Sequence, residues 1–114
     1  MNFHEKIKVV IKAADDKKAS DIVVLDFQDI EGAITDAFII CSGTSERHVA
    51  AIADNICREF KVLGELPSHI EGTTLNKWIL IDFQDVVVHI FQENMREFYQ
   101  LEKLWHNARV INPE

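Results

Sequence analysis

The chain has 114 residues, 47% of them hydrophobic and 27% charged, which is the size and composition of one compact water-soluble domain. Its 19 acidic against 12 basic residues leave a net charge of −7, and Lys17-Lys18 is the only adjacent basic pair. That balance repels phosphate backbones and argues against direct nucleic-acid binding, while an acidic surface suits a basic protein partner.

Cys41 and Cys57 fall in apolar surroundings without a CxxC spacing, so they read as small buried hydrophobes in a reducing compartment. The amino terminus, MNFHEKIKVV, carries charges where a signal peptide needs an apolar core, and no apolar run approaches the roughly 18 residues of a membrane span. A cytoplasmic location is the expectation, with no membrane partner.

Taken in order, residues 3 to about 17 repeat Phe3, Ile7, Val10, Ile11 and Ala14 at helical spacing, with Asn2 and Glu5 placed as a capping pair. Lys6, Lys8 and Lys12 are assigned to the opposite, solvent face. Asp21 to Phe27 (DIVVLDF) predicts a short strand, and a loop follows with Gly32 as its pivot. Ala37 to Cys41 (AFIIC) predicts a strand apolar on both faces. It ends in SGTS, where Gly43 permits a sharp turn and Thr44 or Ser45 can cap the next helix. Val49, Ile52, Ala53, Ile56 and Phe60 form that helix's apolar stripe, and Gly64 is placed to end it. An extended segment runs from Leu66-Pro67 to Glu71, and Gly72 marks a turn.

The stretch Lys77 to Phe91, KWILIDFQDVVVHIF, holds two apolar runs around Asp82-Phe83-Gln84-Asp85 and predicts a β-hairpin. Its second strand is apolar on both faces apart from His89, which places it near the middle of a sheet. Met95, Phe98, Leu101, Leu104 and Trp105 give a last helical stripe. The expected organisation is one domain over residues 1–107 and a frayed tail over 108–114. Helices and strands mix without strict βαβ alternation, so the class is α+β, a mixed β-sheet flanked by helices.

Several constellations bear on chemistry. SGTSERH (Ser42 to His48) places free N–H groups at a helix start, yet it matches neither phosphate-binding fingerprint, and a capped helix is the favoured reading. Asp82 and Asp85 flank the hairpin turn with no assurance that they share a face, and no Asp-x-Asp pair follows the SGTS turn. His48, His69 and His89 lack helical metal spacing, and His89 reads as a hydrogen-bonded core residue. No cofactor or metal is expected. The aromatics are more suggestive. Trp78 opens a strand beside polar residues, Phe83 sits in a polar turn where an exposed apolar tip would mark a contact surface, and Tyr99 cannot share a core face with its neighbour Phe98. Trp78, Phe83 and Tyr99 are therefore the candidate partner-binding patch.

The segments ITDAFIICSGTSERHVAAIAD, the Glu71-Gly72 pair, WILIDFQDVVVHIF and REFYQLEKLW together resemble the ribosomal silencing factor family, also called Iojap-like, from about Lys18 to Trp105. The resemblance implies a fold similar to the nucleotidyltransferase fold without its catalytic carboxylates. It implies a non-enzymatic factor that binds the large ribosomal subunit through the ribosomal protein called L-fourteen and prevents the small subunit from joining, lowering translation when nutrients are scarce. Trp78, Phe83 and Tyr99 match that family's partner-contacting positions. Gln84 departs from the family's usual Gly in this turn, and would be strained if the position needs φ > 0. Ala37 and Asn107 also depart, standing where a bulkier residue and an aspartate are common. Two rivals remain: a nucleotidyltransferase-like enzyme using the SGTS turn with Asp82 or Asp85, and a homodimeric scaffold joined through the hairpin aromatics.

Overall fold

The computed structural model describes residues 1–28, 32, 35–95 and 109–111, the last three by backbone alone. Within them run α1 (Phe3–Asp16), β1 (Ser20–Asp26), β2 (Ala37–Gly43), α2 (Glu46–Val62), β3 (His69–Glu71), β4 (Trp78–Asp82), β5 (Val86–Gln92) and β6 (Arg109–Ile111). The six strands form one sheet in the order β3-β4-β5-β2-β1-β6. Only β2 and β5 pair in parallel, with Ala37 beside Val86 and Gly43 beside Gln92; the other pairings are antiparallel. The expected α+β class with a mixed sheet holds.

Side chains alternate across a strand, so each strand divides its apolar residues between two layers. Val24, Ala37, Ile39, Cys41, Ile79, Ile81, Val86, Val88 and Ile90 meet the apolar stripes of α1 and α2 in one cluster. Leu25, Phe27, Phe38, Ile40, Val87 and Phe91 form a second cluster, with Trp78, Leu80 and Met95 packed against it. Every residue of β2 is buried, as is β5 up to Phe91, which is why neither strand alternates in polarity.

Local signals place the helices. Asn2 and Glu5 form a reciprocal capping box at the start of α1. The Ser45 hydroxyl accepts from the His48 N–H at 3.0 Å to start α2. At the other end Gly64 takes φ +83°, its N–H bonds the Lys61 carbonyl, and the Glu65 N–H reaches the Phe60 carbonyl, the paired bonds of a Schellman stop.

The hairpin turn is held from outside as well as within. Asp82 Oδ1 accepts from the Gln84 N–H at 2.7 Å, and the Phe83 N–H bonds the Val86 carbonyl at 2.9 Å. Lys6 reaches across from α1 to the Asp85 carboxylate at 2.8 Å, and Thr35 donates to the Gln84 carbonyl at 2.9 Å. Gln84 itself lies at φ +77°, the left-handed region that its departure from Gly makes costly.

Two expectations need correction. Lys6 does not lie on the solvent face of α1: it is 8% exposed and aligned with Val10 and Ala13 toward the core. Its alkyl stem lies among apolar neighbours while the ammonium finds Asp85 at the end, a division of labour that a residue-by-residue polarity reading misses. The carboxyl-terminal tail does not fray throughout, because Arg109–Ile111 pairs antiparallel with Val24 to Asp26 of β1. The final apolar stripe after Met95 lies outside the described residues.

Lys6 and Gln84 give opposite expectations for stability. Lys6→Met should cost about 2 kcal/mol by leaving Asp85 without its buried partner. Gln84→Gly should gain about 0.5 to 1 kcal/mol, the left-handed strain relieved less the extra freedom of the unfolded chain. Urea midpoints at unchanged slope measure both.

Candidate protein-binding face

The geometry of the site follows from alternation along β4 and β5. Ile79 and Ile81 point to the helices, so Trp78 and Leu80 point to the opposite face. The register sets Trp78 against Phe91 and Leu80 against His89, and cross-strand partners share a face. Trp78 is half-buried and stacks on Phe91 with ring centroids 5.0 Å apart and planes 24° from parallel. Ring contacts continue inward through His89 to Phe38 and from Phe38 to Phe27.

The backbone at the strand entrance is equally constrained. Gly72, at φ +90°, runs so close beneath Trp78 that a Cβ there would strike the Trp78 carbonyl. The Asn76 N–H closes the intervening turn on the Gly72 carbonyl, and the Gln92 N–H bonds the Lys77 carbonyl at 2.9 Å. In the sequence Gly72 reads as a turn and as half of the Glu71-Gly72 pair; its closeness to Trp78 depends on contacts that the chain order does not reveal.

His89 is 4% exposed, and its Nδ1 accepts the Trp78 indole N–H at 3.1 Å. An indole nitrogen can only donate, so the imidazole is neutral and carries its proton on Nε2. That second nitrogen is buried and has no hydrogen-bond partner among the described residues. Burial pushes the His89 pKa down to about 4 from its ordinary 6.5. The expected hydrogen-bonded core histidine is present, with a partner that spacing did not suggest.

Beside Trp78 and Leu80 the face becomes acidic. Glu71 lies opposite Leu80 and His69 opposite Asp82 in the β3–β4 register, and His69 Nε2 meets the Glu71 carboxylate at 2.8 Å. A half-buried aromatic and an aliphatic neighbour are thus rimmed by the carboxylates of Glu71 and Asp82.

Phe83 is not part of this face. It is 3% exposed and stacks on Phe60 of α2 at 4.0 Å, on the helix side of the sheet. The expectation of an exposed apolar tip gives way for a simple reason: Ile79, Ile81 and Phe83 are spaced two apart, so Phe83 continues their inward row beyond the strand. The polarity of its neighbours masked a signal that the period carried. Tyr99 lies outside the described residues.

The groups considered for catalysis are occupied by structure. His48 Nδ1 takes the Thr44 N–H at 2.9 Å, its Nε2 bonds the Lys17 carbonyl at 2.6 Å, and Ser45 takes the His48 N–H, so the SGTS turn serves as a cap and a clasp to α1. Asp82 and Asp85 are tied to Gln84 and Lys6. Burial, with Asp54 adding, pushes the Cys57 thiol up, away from the nucleophilic thiolate. Among the described residues no three His, Cys, Asp or Glu side chains are gathered to hold a metal ion, and no helix is long and apolar enough to cross a membrane.

The polar groups weighed for chemistry thus brace the domain's own backbone, and an aromatic is anchored at a margin of the sheet. The family described as "Ribosomal silencing factor during starvation" matches residues 1–114, and the chain belongs to that family. This is a family of ribosome-associated translation regulators and not of enzymes. The chain is 40% identical to the ribosomal silencing factor of Halalkalibacterium halodurans over all of itself and 97% of that protein. It is 41% identical to that of Bacillus subtilis over 98% of itself and 94% of that protein. A crystal structure of a Chromobacterium violaceum protein superposes with a TM-score of 0.88 at 33% identity, covering 93% of this chain and 88% of that one.

The low His89 pKa sets an acid dependence. Below pH 6.5 the unfolded chain takes up a proton that the folded His89 refuses, so stability falls with pH until about 4 and then levels. Each pH unit in that window is worth about 1.4 kcal/mol, for a total on the order of 3 kcal/mol; above the window His89 contributes no pH dependence. Urea unfolding from pH 7 to 4 should show a shallower loss in His89→Leu than in the native chain.

Proposed function

We propose that the face carrying Trp78 docks this factor on a basic protein of the large ribosomal subunit and that the docked body keeps the small subunit from joining. The observation that carries the reading is the half-buried Trp78, fixed on Phe91 and His89 with Glu71 and Asp82 at its rim. Aromatic anchors of this kind dominate binding energy, and rim carboxylates steer a positively charged partner. The family resemblance points to the ribosomal protein called L-fourteen as that partner, and to Tyr99 as a second contact. Phe83 serves from the core, holding the turn against α2. The factor acts in the cytosol, without cofactor or turnover.

Blocking needs no change in the ribosome. With extents of 36 × 35 × 26 Å, the domain presents a face comparable to the footprint of a standard protein interface. It should compete with small subunits for free large subunits and act much less on ribosomes already joined.

Sucrose-gradient sedimentation with separated subunits, and in parallel with preformed ribosomes, tests the reading. Trp78→Ala should remain folded and lose roughly 2 kcal/mol of binding, near thirtyfold in affinity. Rising salt should weaken binding mainly through slower association. Co-sedimentation of Trp78→Ala equal to the native chain would remove Trp78 from the contact, and rapid splitting of preformed ribosomes would replace occupancy with active dissociation. A chain that sediments only as its own dimer would favour the scaffold rival.

A further inference from the structure

We propose that His89 is a positioning residue for the docking surface: it holds the Trp78 indole in one orientation so that the anchor meets its partner already ordered. The inference rests on Trp78 belonging to the partner contact, as proposed above.

Phe91 and His89 hold Trp78 in different ways. Stacking on Phe91 at 5.0 Å fixes the plane of the indole, but a stacked ring can still slide and turn within that plane. The indole has one polar atom, and its N–H is directed at 3.1 Å onto His89 Nδ1. A directional bond from the one polar edge fixes the indole's direction within that plane.

His89 is poorly explained by stability. It interrupts an otherwise apolar run, VVVHIF, whose members pack against both layers of the core. It is 4% exposed, and its Nε2 has no partner among the described residues. A buried polar side chain with half its capacity unmatched is worse for the fold than an apolar one of similar size. What the imidazole supplies, and Leu or Phe could not, is a bare acceptor aimed at Trp78. Ordering an anchor before encounter removes the entropy that binding would otherwise lose, which makes the acceptor useful to docking.

Affinity for isolated large subunits should separate this role from packing. We expect His89→Leu to fold and to bind roughly threefold to tenfold more weakly, the effect of freeing one large side chain. His89→Asn, whose Oδ1 takes the place of Nδ1, should bind close to the native chain. Trp78→Phe keeps the stack and lacks the N–H, so in that background His89→Leu should add nothing. Native-like binding by folded His89→Leu, a loss undiminished in the Trp78→Phe background, or a failure of His89→Asn to restore binding would each overturn the proposal. A reading independent of folding variants comes from the native chain: the Trp78 indole proton, assigned by its disappearance in Trp78→Phe, should exchange slowly with solvent. Exchange as fast as that of free indole would overturn the positioning role. Should Trp78→Ala bind as the native chain does, the docking reading fails and this one falls with it; should Trp78→Ala weaken binding while His89→Leu does not, only the positioning role fails.

Discussion

The parallel pairing of Ala37–Gly43 with Val86–Gln92 brings together two stretches far apart in the chain, both apolar on both faces. Such a pair cannot stand with one side in water, so everything else is arranged to cover it. On one side α1 and α2 lay Val10, Ile52, Ile56 and Phe60 against Ile39, Val88 and Ile90. On the other side the sheet carries its aromatics, and the row from Phe27 through Phe38 and His89 to Phe91 ends at Trp78. The candidate contact is therefore the margin of a core, not an ornament on a loop. That origin explains how an aromatic can be rigid and partly accessible together.

The turn between β4 and β5 shows how the two layers are locked together. Asp85 accepts the Lys6 ammonium through its side chain, while its carbonyl takes the backbone N–H groups of Asp36 and Ala37, each at 3.1 Å. One residue thus joins α1, the entry to β2 and the start of β5. Gln84 keeps a left-handed backbone within this brace, and the surrounding bonds from Asp82 and Thr35 hold it there against its preference.

Much of the fold was legible because apolar period and punctuation agree. The capping pair Asn2 and Glu5, the Ser45 cap, the Gly64 stop and the hairpin runs each state locally what the fold does globally. The features that escaped depend on partners distant in the chain. Lys6 reads as a solvent residue until Asp85 is beside it, 79 residues away. Phe83 reads as exposed until Phe60 supplies the ring it stacks on. His89 could be recognised as buried, but only the β4–β5 register reveals that Trp78 is its donor. Of the candidate aromatics, Trp78 sits at a sheet margin as its place in the sequence suggested, while Phe83 belongs to the opposite layer.

Among the described residues the sheet ends on each side in a strand of three residues, His69–Glu71 and Arg109–Ile111. Long flat edges invite another chain to extend the ladder, and a sheet this apolar on both faces would be a ready template for polymerisation. Blunt edges remove that template. On the β3 side His69 and Glu71 add polar groups where an intruding strand would have to pair. A domain so constructed can be crowded against its own copies without its strands recruiting one another into fibres.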